Sequence, residues 1–107
     1  MSKKILLLGL SDSVLADAQQ QLARPDLEMF RGTSVEDVRS TMAQTTIDHV
    51  FMGGGLPSKP QLQMEMVWAI FQSSGTTTVH MLDTTRGPQG FVPFVQGVLR
   101  GLTDSEG

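Results

Sequence analysis

Cysteine is absent from this chain of 107 residues. That excludes disulfide staples, thiol catalysis and zinc centres of the cysteine type, and it fits a reducing cytosol. Charge is scarce. Asp, Glu, Lys and Arg make up 18% of the residues, so much of the surface must be neutral polar or apolar. Positive charge is scarcer still, with 8 Lys and Arg against 11 Asp and Glu for a net charge of −3. Binding a phosphate backbone needs clustered basic residues. The one basic pair, Lys3-Lys4, reads as the flank of a strand, so no nucleic-acid partner is expected. No segment approaches the ~20 apolar residues of a membrane span. The apolar run after Lys3-Lys4 covers only residues 5–8, too short for a secretory signal. A cytoplasmic protein with no membrane contact is the expectation. A GxGxxG fingerprint, a Walker lysine and a GxSxG elbow are all missing. No nucleophile stands beside a base at a catalytic spacing, so neither an enzyme nor a cofactor is expected.

What is present is an alternation of strands and helices. Ile5-Leu6-Leu7-Leu8 is continuously apolar and ends at Gly9, as a strand covered on both faces does. Ser11, Asp12 and Ser13 can each cap a helix, which runs to about Ala23 with Val14, Ala18 and Leu22 on one face. Arg24-Pro25-Asp26 stops it, and residues 27–30 form a second strand ending near Gly32. Ser34 starts a second helix with Asp37 placed as in a capping box, and Val35, Val38 and Met42 form its buried stripe. Residues 47–52 are a third strand, followed by Gly53-Gly54-Gly55. A third helix covers about 60–72, with Pro60 in its first turn. A Thr- and Val-rich fourth strand covers 76–82. Phe91, Phe94, Val95, Val98, Leu99 and Leu102 give the last helix, and residues 103–107 read as a polar, frayed tail. Strand and helix alternate four times. This predicts one α/β domain over 1–107, a short parallel sheet between two helical layers.

The segment Asp48-His49-Val50-Phe51-Met52-Gly53-Gly54-Gly55-Leu56-Pro57 resembles the third strand and following loop of response-regulator receiver domains. The first strand, the fourth strand and the stretch Gly90-Phe91-Val92-Pro93-Phe94 are similar in character. The resemblance implies a flavodoxin-like, CheY-like topology with strand order 2-1-3-4. It also locates what is missing. The family's phosphoacceptor position falls on Gly53, its acidic pair on Gly9-Leu10, and its Ser/Thr position on Asp83. Its lysine has no counterpart between Val92 and Pro93, and 82–91 is too short for a further helix and fifth strand. Aspartyl phosphorylation needs a carboxylate nucleophile and a cation to offset phosphoryl charge. The chain is thus expected to be a receiver-like domain that is not phosphorylated on Asp.

Four constellations are candidate sites. With order 2-1-3-4 the switch point lies between the first and third strands, where ligands favour the crevice. Ser11, Asp12 and Ser13 would face Gly53, Gly54 and Gly55 there. Exposed glycine amides and a helix N-terminus could hold phosphate or a nucleotide; a structural turn or a tight approach to a neighbouring loop is the simpler reading of the glycines. Asp12 with Asp83 could hold Mg²⁺ or act as acid and base, although a cap and a turn account for both. His49 and His80 sit on adjacent strands. If the strand ends align, counting back from Gly53 and Asp83 places them on opposite faces, so no metal site is expected of them. Finally, the third helix is apolar on two sides. Leu62, Met66, Ala69 and Ile70 line one, and Met64, Val67, Trp68 and Phe71 line much of the other. One apolar face suffices to cover a sheet. The second face, and an edge strand without Lys or Pro, predict a homodimer or a protein partner. The expected role is a non-catalytic interaction module, with a small-ligand binder as the alternative.

Overall fold

Ile5, Leu6, Leu7 and Leu8 are all fully buried, which requires cover on both sides of their strand. The computed structural model, which describes residues 3–53, 56–81 and 90–106, shows how this is met. Strand β1 (Lys3–Leu8) runs into helix α1 (Asp12–Leu22), followed by β2 (Leu27–Gly32), α2 (Val35–Gln44) and β3 (His49–Met52). A 3₁₀ turn at Leu56–Ser58 leads to α3 (Pro60–Ser73), β4 (Thr78–Met81) and α4 (Phe91–Glu106). The four strands form one sheet of order β2-β1-β3-β4, and every pairing is parallel. This is the flavodoxin-like α/β/α arrangement that the alternation predicts.

Alternate residues of a strand point to opposite faces, and here they feed two separate cores. Ile5, Leu7 and Phe51 join Leu15, Ala18 and Leu22 of α1 and Phe91, Val95 and Leu99 of α4. Leu6, Leu8, Val50 and Met52 join Val38 of α2 and Met66, Ala69 and Ile70 of α3 on the other face. Helices α1 and α3, which follow the adjacent strands β1 and β3, therefore leave the sheet in opposite directions.

The local signals mostly hold. Ser34 caps α2: its hydroxyl accepts from the Asp37 amide at 3.1 Å, and the Asp37 carboxylate accepts from the Thr33 amide at 2.9 Å. Val38 is the fully buried residue of α2, with Val35 and Met42 partly buried against the same core. Pro60 stands in the first turn of α3. Asp48 anchors the amino edge of the sheet, its carboxylate accepting from the Lys4 amide at 2.8 Å. Thr77 is buried and donates its hydroxyl to the Ile47 carbonyl at 2.6 Å, fixing the entry to β4.

Two expectations are corrected. The buried stripe of α1 is Leu15, Ala18 and Leu22, while Val14 is 42% exposed; spacings of 3 and 4 track a helix face better than successive fours. The chain does not turn into a tail at residue 103, because α4 continues to Glu106. Thr, Asp, Ser and Glu there are polar but not helix-breaking.

Gly32 ends β2 where α2 begins. A Cβ built on it would lie 2.7 Å from Asp37 Cβ, closer than two carbons can pack, and 3.4 Å from Leu8 Cδ2. Gly32→Ala should therefore cost about 1–3 kcal/mol by displacing the start of α2, measured as a lower midpoint in urea unfolding.

Candidate functional site

The carboxyl ends of β1 and β3 meet at the switch point, and they are joined there. The Gly53 amide donates to the Leu8 carbonyl at 2.6 Å. Gly53 is buried, and an added Cβ would stand 3.1 Å from that carbonyl oxygen and 3.6 Å from the Phe91 ring. Close approach to β1 and to the first turn of α4 explains this glycine. No glycine among the described residues has a positive φ. The Gly53 amide is engaged within the sheet, so it does not serve an anion cradle.

Ser11, Asp12 and Ser13 open α1 as expected, with Ser11 at the cap position. The Ser11 and Ser13 hydroxyls bond each other at 3.0 Å, and the Ser11 side chain makes no capping bond. The Asp12 carboxylate does not wait for a metal: it accepts from Arg31 Nε at 2.9 Å. Arg31 also donates to Gln19 at 2.7 Å. This exposed network links α1 to the end of β2, and it adds little stability. The pairing of β1 with β2 places Arg31 opposite Leu7, and so beside the start of α1. Nothing in the sequence marks that contact until the register is known. Gly54, Gly55 and Asp83 lie outside the described residues, and with them the proposed pairing of Asp12 and Asp83.

The outer side of α3 carries the clearest surface feature. Met64, Trp68 and Phe71 are 66%, 63% and 56% exposed. They follow one another by four and three residues, so they form one stripe, pointing away from buried Met66, Ala69 and Ile70. Val67 departs from expectation: it is partly buried against the inner core, at the flank of the stripe rather than within it. Beside the stripe runs an open groove of about 570 Å³ between α2 and α3, lined by Val35, Arg39, Gln61, Met64, Glu65 and Trp68.

His49 and His80 are not on opposite faces. Strand β4 pairs with Phe51 opposite His80 and Met52 opposite Met81, one residue away from the alignment assumed from Gly53 and Asp83. A slip of one residue moves a side chain to the other face. Both imidazoles therefore lie on the α4 side. His49 Nδ1 and His80 Nε2 are 3.1 Å apart, and the His80 ring stacks on Phe51 with centroids 4.8 Å apart and planes 16° apart. Phe94 of α4 meets Phe51 edge-on at 6.0 Å. Partial burial pushes the His80 imidazole below its ordinary value, and repulsion from His49 adds to the effect.

No protein-family model matches the chain, and no curated protein or solved structure does so either. No helix among the described residues is long and apolar enough to cross a membrane.

The lowered His80 value sets a direction for stability. The folded state resists protonation at His80 more than the unfolded chain does. Stability is full above the ordinary value of 6.5 and falls as pH drops through it toward the lower folded-state value. Thermal melts from about pH 8 to about pH 5 should show a falling midpoint over that window, and His80→Gln should flatten the slope.

Proposed function

We propose that this chain is a receiver-like, non-catalytic module that works by self-association through the outer face of α3. The single observation behind this reading is the stripe of Met64, Trp68 and Phe71, three large apolar side chains each more than half exposed on one helix. At their exposures they offer on the order of 400 Å² of apolar surface. That is about half of the roughly 800 Å² each partner contributes to a stable interface. The groove beside them supplies further area, and Trp and Met are favoured at interface centres.

A second copy suits this face for reasons of charge. Across a twofold axis the same patch meets itself, so like charges on it oppose association. Helix α3 carries only one charged residue, Glu65, between Pro60 and Ser73. Arg39 and Glu65 line the same groove, and a twofold can bring the Arg39 of each copy to the Glu65 of the other. The small-ligand alternative, which relies on the glycine loop and the start of α1, draws no support from Gly53, Asp12 or Ser11. Their polar groups face partners within the chain. The absence of cysteine fits work in a reducing cytoplasm.

Light scattering after size-exclusion chromatography tests the reading. The native chain should elute as a dimer at about 100 µM and begin to dissociate on dilution. Trp68→Glu should give monomer with an unchanged circular dichroism spectrum. Val14→Glu, at an exposed apolar residue of α1, should remain dimeric. A native monomer at every concentration, or a Trp68→Glu dimer, would rule the interface out.

A further inference from the structure

The chain has two histidines and no cysteine, and the fold brings both histidines to one place. Strands β3 and β4 hold them side by side on the α4 face of the sheet. His49 Nδ1 and His80 Nε2 face each other at 3.1 Å, with ring centroids 5.3 Å apart. A neutral imidazole has one protonated nitrogen and one with a free lone pair. In the bare pair the two facing nitrogens share a single proton. A cation that replaces this proton receives a lone pair from each.

From this geometry we propose that His49 and His80 form an exchangeable two-imidazole site for a first-row divalent cation of the Zn²⁺ type. With metal–nitrogen bonds of about 2.0–2.1 Å, two ligands of a tetrahedral ion have their nitrogens about 3.3 Å apart, and two at a right angle about 2.9 Å. The observed separation lies between these values, so the two nitrogens are spaced to share one ion once each lone pair turns from its neighbour toward it. The His80 ring is already oriented by its stack on Phe51, and Phe51 is itself fixed between the sheet and Phe94. Preorganised ligands of this kind lose little freedom on binding. Neither histidine is fully buried. Among the described residues no group of three or more potential ligands converges. The proposed site is therefore one of two protein ligands, with water completing the coordination of an exchangeable ion. Imidazole nitrogen selects Zn²⁺, Cu²⁺ and Ni²⁺ over Mg²⁺ and Ca²⁺, which prefer oxygen.

The test uses the tag-free full chain, stripped with chelator. Calorimetric titration with ZnCl₂ should show one ion bound per chain, and titration with MgCl₂ none. His49→Gln and His80→Gln should each weaken Zn²⁺ binding by roughly tenfold or more, with circular dichroism confirming that each variant is folded. Electron paramagnetic resonance of the native chain loaded with one equivalent of Cu²⁺ needs no variant. It should show splitting from two imidazole nitrogens. The proposal fails if the native chain binds no Zn²⁺ up to about 1 mM, if both folded variants bind as the native chain does, or if the Cu²⁺ spectrum lacks imidazole nitrogen.

Discussion

Everything in this molecule is arranged around the alternation of Ile5, Leu6, Leu7 and Leu8 in the central strand. Each of these side chains is fully buried, and each step of one residue along the strand reverses the face that the side chain enters. Ile5 and Leu7 supply the core beneath α1 and α4, and Leu6 and Leu8 supply the core beneath α2 and α3. The strand is also hydrogen-bonded on both edges, to β2 and to β3. A polar residue at any of the four positions would lose its water to one of the two cores without gaining a partner. The three-layer form follows from this, since one helical layer could cover only half of what β1 presents.

Much of this was legible because it is local. An apolar run bounded by glycine, a Ser–Asp cap before a periodic stripe and a proline in a first turn are short-range signals, and β1, α2 and α3 follow them. The features that escaped depend on register between distant segments. His49 and His80 are 31 residues apart, and a one-residue error in aligning β3 with β4 separates them. The same holds for Asp12 and Arg31, which meet only because β2 lies beside β1. The outer stripe of α3 was readable because a helix fixes its own geometry, and Val67 was misplaced because it sits where the two faces of that helix meet. Gly53 was visible as a glycine, but its reason, contact with Leu8 and Phe91, is tertiary.

Surface and site also divide cleanly by face. At the carboxyl edge, where folds of this topology offer a crevice, the Gly53 amide is taken up by the Leu8 carbonyl. Exposed apolar area collects instead on α3, on the opposite side of the sheet from the two histidines. Binding at one of these places need not disturb the other, because the sheet and two independent cores lie between them.

The packing around Gly53 also bears on how the sequence can change. A carboxylate at this position would begin with a Cβ 3.1 Å from the Leu8 carbonyl oxygen, with the Phe91 ring 3.6 Å away. The strand backbone would have to give way before the rest of the side chain found room. Any side chain at position 53 therefore asks for a shift of a few tenths of an ångström between the ends of β1 and β3. Glycine is the residue that fits position 53 with no such adjustment, so the join between the two central strands and the first turn of α4 is held together by the absence of a side chain.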